Sequence, residues 1–358
     1  MIIFFVILVL LVAFLEYYLH RHTLKHISLK VKSEKYLVEP NEPFDIKIKI
    51  HNNSRLPAFF LTAWFNVPGE AVLCEGQHGK LETYVRLGEY SVSCFLMPKK
   101  TAEYSVKIKL PKRGLYRLTN FSVNAGDFLG LKTKTREYRG SEEIVVIPEK
   151  LDDVDTSFLS GGLMGEQSVN RWIHEDPVLT AGFREYTGRE PQKAISWTRS
   201  LQSGHLMVKQ YDHTTDRKLA LMFSSEGASD SNIEYCFKLC RTICEKLEEE
   251  QIPFSFYHTG CLQISIGKLP PLESGLGKQH LSRILEGLGR STSYAALIST
   301  DEMVNQLLKR DYDTNCVILI TPKVTEQTKL AMKKITARTG AQTFVFDGQK
   351  EAEDEASV

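Results

Sequence analysis

Oxygen-bearing side chains gather behind one apolar run. Arg217 to Phe223, RKLALMF, reads as a buried strand, and Ser224, Ser225 and Glu226 follow it directly. Further along, Ser291-Thr292-Ser293 offers a second set of hydroxyls, with Thr292 the candidate donor. Hydroxyls and carboxylates delivered where strands end are what a hard divalent cation requires. The supply is short. No Asp opens the first loop, and the later apolar run Cys316–Thr321 continues into Pro322 and Lys323, where a carboxylate is needed. Glu226 alone gives little negative charge to offset the dehydration of Mg²⁺. The expected site is degenerate: Ser224, Ser225, Glu226 and Thr292 are its remnants, and no cofactor is expected beyond weakly held Mg²⁺.

Other reactive residue types are present without the spacing that chemistry needs. His205, Asp212 and His213 lie close to Ser200 and Ser203. They make a hydrolase of unknown substrate the alternative reading, but no Gly-x-Ser-x-Gly elbow accompanies them. The seven cysteines include no CxxC pair, which points to a reducing compartment rather than a disulfide framework. Cys236, Cys240 and Cys244 recur every four residues over about 12 Å of helix, too far apart for one metal. His20, His22 and His26 lack a carboxylate or cysteine partner. Ser160 to Gly165 is glycine-rich but ends in no Gly-Lys-Ser/Thr, so it reads as linker and not as a phosphate loop. Formal net charge is +1, which excludes a global field attracting nucleic acid.

The most informative stretch is Phe183 to Asp212, FREYTGREPQKAISWTRSLQSGHLMVKQYD. Pro191 and two glycines break any regular amphipathic period, and aromatics sit beside arginines. It resembles the fifty-eighth domain-of-unknown-function family, often encoded beside MoxR-type AAA+ ATPases. Arg184, Tyr186, Gly188, Ile195, Trp197, Gly204, Leu206 and Val208 match that family's pattern. Arg189 and Ser196 stand at its acidic positions, and Leu201-Gln202 at its Ala-Arg pair. Arg113-Gly114-Leu115-Tyr116 and Asp127-Phe128-Leu129-Gly130-Leu131 resemble the family's turns. The resemblance implies an adaptor that works with a MoxR-type ATPase on envelope or complex-assembly targets. In that reading Arg184, Tyr186, Arg189, Trp197, Arg199 and Lys209 form a contact surface. Aromatics and arginines dominate such surfaces. The competing reading packs Trp197 and Tyr186 inside the fold.

These residues need elements to hold them. Met1 to Leu15 is an unbroken apolar run, and residues 1–19 are expected to cross a membrane once, with Glu16 snorkelling. Lys and Arg after the span place the remainder on the cytoplasmic side of the cell membrane. Residues 20–26 form a basic juxtamembrane segment. Residues 27–148 alternate with period two, as in FDIKIKIH, and are expected to fold as an all-β sandwich. Residues 149–182 are a linker and 183–216 the motif stretch. Residues 217–348 alternate apolar strands with helices, including Ser231–Glu250, His280–Leu288, Tyr294–Lys309 and Thr325–Arg338. That pattern implies a mainly parallel, doubly wound sheet, and the order of elements resembles a von Willebrand A-like domain. Residues 349–358 are an acidic tail. Asn52 and Asn120 head Asn-x-Ser sequons.

Overall fold

The computed structural model describes the chain except residues 1, 75–84, 87, 127–131, 152–172, 189–194, 216–217, 228–229, 263–269, 312 and 349–358. The glycine-rich segment 160–165, the Asp127–Leu131 turn, Arg189 and the acidic tail therefore lie outside the described residues. The chain divides into two compact units. One comprises Met1–Lys150, Cys261–Gly267 and Ser282–Thr292; the other comprises Leu151–Gly260, Lys268–Leu281 and Ser293–Val358.

The first unit begins with helix α1 (Ile2–His22) and a 3-10 turn (Thr23–His26). The expected membrane crossing is corrected: among the described residues no helix is long and apolar enough to span a bilayer. The physical reason lies in the helix itself. Its apolar run ends at Leu15, and the last turns carry Glu16, His20, Arg21 and His22. Fifteen residues rise about 22 Å, short of the roughly 30 Å hydrocarbon core. The single-pass placement, with its cytoplasmic side and its membrane contact through the amino-terminal helix, is withdrawn with it.

The same unit contains a two-sheet β-sandwich. Its strands are β1 (Ile27–Ser33), β2 (Leu37–Val38), β3 (Phe44–Asn52), β4 (Ala58–Asn66), β5 (Val72–Leu73), β6 (Val85–Arg86), β7 (Glu89–Leu96), β8 (Thr101–Lys109), β9 (Gly114–Gly126), β10 (Thr133–Tyr138) and β11 (Glu142–Val146). One sheet runs β1-β3-β8-β5. The other runs β2-β11-β9-β4-β7-β6, with β10 also paired to β9. Alternation decides the core. Phe44, Ile46, Ile48 and Ile50 are buried on one face of β3, and they join a cluster with Leu61, Ala63, Phe65, Leu118 and Val123 of the other sheet. Asn52 continues the buried face of β3. Its amide donates to the Leu56 carbonyl at 2.8 Å and its Oδ1 accepts from Ser54 Oγ at 2.7 Å. The Asn52 sequon is thus consumed inside the fold.

The second unit holds an antiparallel ribbon, β12 (Ile173–Glu185) with β13 (Met207–Thr215), and a short helix α2 (Trp197–Ser203). It continues with β14 (Leu219–Phe223), α3 (Asp230–Glu249) and β15 (Phe254–His258). In chain order then come β16 (Gly260–Leu262), β17 (Leu272–Gly275), α4 (Lys278–Arg290), β18 (Ser291–Ala296) and α5 (Thr300–Arg310), of which Cys261–Leu262 and Ser282–Thr292 belong to the first unit. The last elements are β19 (Cys316–Thr321), α6 (Glu326–Thr339) and β20 (Gln342–Asp347). Sheet order is β17-β15-β14-β19-β20. Four strands are parallel, and β17 pairs antiparallel at the edge. Met222, Val317 and Leu319 pack with Met303, Val304, Leu307 and Ile335 of α5 and α6.

This is a correction of the expected doubly wound, von Willebrand A-like sheet. The apolar runs at Cys261 and Tyr294 do not extend the main sheet. They form β16 and β18, which pair with each other. The helix expected over Tyr294–Lys309 is a strand followed by a shorter helix. Ser299 fixes the new start, its hydroxyl accepting from the Glu302 amide at 3.2 Å. Among the described residues, strands outnumber helices.

Candidate functional site

Two places carry the residues singled out by the sequence. The first is the rim where β14 and β19 end. The Ser224 amide donates to the Ile320 carbonyl at 2.9 Å, which brings the two strand ends together. Ser224 Oγ shares a 2.9 Å hydrogen bond with Thr300 Oγ1, and the Thr300 hydroxyl donates to Glu226 Oε2 at 2.5 Å. The Glu226 amide returns to Ser224 Oγ at 3.3 Å. Ser225 donates its amide to Thr259 Oγ1 at 2.8 Å. These hydroxyls are buried and satisfy one another. Thr292 does not join them; its hydroxyl donates to the Cys261 carbonyl at 3.4 Å.

The donors at this rim do not fit a hard dication. Among the described residues Glu226 is the single carboxylate in the network, the hydroxyls are engaged, and Lys323 stands at the same turn. A methyl group placed on Gly227 would lie 3.9 Å from the Lys323 Cβ. A lysine at this turn adds positive charge beside the rim and none of the negative charge that a dication needs. Thr259 and Thr300 were missed by sequence reasoning. The signal for Thr300 is legible after the fact, because Ser299-Thr300-Asp301-Glu302 is a helix start.

The second place is the ribbon with helix α2. Ser200 pins the helix to β13: its hydroxyl donates to the Ser196 carbonyl at 2.8 Å and accepts from the Met207 amide at 2.8 Å. The Ser196 amide donates to the Met207 carbonyl, and Ile195 bridges Val208. Gly204 closes the helix in the left-handed region at φ 73°. With Ser200 facing inward, Trp197 and Leu201 stand one turn apart on an outer flank, 65% and 86% exposed. Trp197 therefore does not pack inside the fold.

Arg199 leaves the opposite flank, and its guanidinium lies 5.2 Å from the centre of the Phe183 ring. Lys209 is the cross-strand partner of Phe183, so the two share a face of the ribbon. Arg184 pairs with Val208 and faces the other way. Tyr186 is half-buried, its amide donating to the Leu206 carbonyl at 2.8 Å. Of the six expected contact residues, the structure groups Trp197, Arg199 and Lys209 around one helix, sets Tyr186 at its edge and turns Arg184 away. Arg189 lies outside the described residues.

Nucleophiles fare poorly. Ser200 is held as above, and the Ser203 hydroxyl donates to the Arg199 carbonyl at 3.0 Å. Asp212 and His213 are consecutive residues of β13. Burial pushes the Cys316 thiol up to about 12 and raises Cys240 as well, which keeps both protonated and unreactive.

No family model matches the chain, and no curated protein matches it. Solved structures similar to it include a cohesin module of a family 33 glycoside hydrolase from Clostridium perfringens. The match has 15% identity and a TM-score of 0.26, and covers 34% of this chain and 95% of that one. The seventh ScaB type I cohesin of Pseudobacteroides cellulosolvens matches at 12% identity and TM-score 0.25, over 35% of this chain and 96% of that one. An uncharacterized Nocardia farcinica protein with an immunoglobulin-like fold matches at 9% identity and TM-score 0.23, over 33% and 96%. Scores this low carry no argument about what the chain binds or does.

Proposed function

We propose that this chain is a binding module without chemistry of its own, and that it engages a protein partner through the outer surface of α2. One observation carries the reading: Trp197 and Leu201 are largely exposed on a helix whose inner face is fixed by Ser200. A two-stranded ribbon with one short helix has little apolar area to hide. Keeping a tryptophan and a leucine in water there costs solubility, and a partner that covers them recovers the burial. The family resemblance supplies the partner: a MoxR-type AAA+ ATPase, with this chain as its adaptor toward envelope or complex-assembly targets.

The test is capture of a purified MoxR-type ATPase by the full chain. Trp197→Ala is expected to weaken capture at least about thirtyfold, the effect of a ~2 kcal/mol hot spot, with thermal unfolding unchanged. Equal capture by the variant removes the contact reading. The hydrolase alternative finds no support in the engaged Ser200 and Ser203 hydroxyls. A fluorophosphonate probe is expected to leave both unlabelled, and site-specific labelling would restore that reading.

A further inference from the structure

The charge around α2 is one-sided. From Ile195 to Lys209 the chain carries Arg199, His205 and Lys209 and no Asp or Glu, although cations and anions balance at 45 to 44 over the whole sequence. Among the described residues neither Arg199 nor Lys209 is ion-paired. The Arg199 guanidinium contacts the Phe183 ring and donates to the Gln202 side chain at 3.2 Å, both neutral. Lys209 is exposed and shares the Phe183 face of the ribbon. Glu185 lies on that face too, opposite Met207. Apolar anchors therefore stand on one flank of the helix and unpaired cations on the other.

We infer that this surface takes an acidic amphipathic segment of its partner, apolar side chains on Trp197 and Leu201 and carboxylates toward Arg199 and Lys209. The inference rests on the binding reading above and adds selectivity to it. Opposite charge at the rim speeds encounter and fixes orientation, while the aromatic anchor holds the complex. A basic segment would meet Arg199 and Lys209 as like charges and be rejected. The partner is thus recognised by the pairing of leucine-type anchors with Glu or Asp, whatever its fold.

Two labelled amphipathic peptides of about 14 residues test this. They carry Leu at the same helical positions, with Glu at every charged position in one and Lys in the other. Fluorescence anisotropy with the full chain is expected to show the Glu peptide binding at least about tenfold tighter at low salt, with the advantage shrinking as salt shortens the Debye length. Arg199→Gln with Lys209→Gln is expected to abolish the preference, and Arg199→Lys to keep it. Trp197→Ala is expected to weaken both peptides. Equal affinity for the two peptides, binding of neither, or a preference that survives the double glutamine variant overturns the inference. If the ATPase is still captured through Trp197 in that case, acidic selectivity fails while the contact surface stands. Unfolding temperatures of each variant separate lost selectivity from lost fold.

Discussion

At the scale of single residues, backbone strain marks Phe60. It sits at φ 46°, a left-handed conformation that a bulky side chain rarely adopts, at a register break between Ala58 and Leu61, and it is 62% exposed. Gly126 on the neighbouring strand makes room for it: a Cβ there would stand 2.9 Å from the Phe60 Cβ. Nothing in the composition or periodicity announces this. FDIKIKIH fixes the period of β3, but a bulge in β4 depends on which neighbour lacks a side chain, and that is a long-range fact. Gly126→Ala is expected to destabilise the sandwich by about 1–3 kcal/mol, the usual cost of overpacking. Phe60→Gly is expected to raise stability by about 1 kcal/mol, strain relief exceeding the entropy of the added glycine. Denaturant midpoints of the two variants decide it; a Phe60→Gly protein less stable than the parent means the ring's contacts outweigh the strain.

At the scale of elements, long periodic segments were legible and short capped ones were not. Cys316–Thr321 and the helix ending at Gly340 stand in the structure where apolar run and glycine cap place them. Helix α2 was hidden because propensity does not make it. TRSLQS is a poor helix in isolation, and a seven-residue helix is marginal in water. Ser200 makes it by bonding at once to its own turn and to β13. Trp197, Arg199 and Lys209 stand out in the sequence by type, but which of them share a face does not. That needed the Phe183 to Lys209 register and the pin at Ser200. Ser200→Ala should leave the Met207 amide without its acceptor in a half-buried place, at a cost of about 1–2 kcal/mol. Hydrogen exchange at Met207 is expected to accelerate about tenfold, with partner capture weakened in step. Unchanged exchange would show that the Ser196 and Ile195 bridges hold the helix without it.

At the scale of the whole chain, the sandwich unit is completed by residues far along the sequence. Arg113 donates to the Leu288 and Ser291 carbonyls at 2.6 and 2.8 Å. Gly289 lies so close that a Cβ would stand 2.8 Å from the Val146 carbonyl oxygen. Gly289→Ala is therefore expected to cost about 1–3 kcal/mol or more, since backbone cannot yield as a side-chain tip can. No local pattern could reveal this, because the partners are separated by well over a hundred residues. Electrostatics follows the same route. Arg290 donates to Glu143 at 2.8 Å, and Arg117 donates to the same carboxylate at 2.5 Å. These two guanidiniums, Arg290 first, hold the Glu143 carboxyl below its ordinary value. A folded value below the unfolded one contributes stability that is present above the ordinary carboxylate range and is lost as pH falls through the folded value. The Glu143 side chain is partly exposed, so the contribution is modest and salt-screened. Glu143→Gln is expected to lower the unfolding midpoint near neutral pH, with the difference from the parent shrinking as pH falls through the folded value of Glu143. A difference between the two proteins that persists unchanged in acid would assign the loss to packing around Arg290 and not to charge.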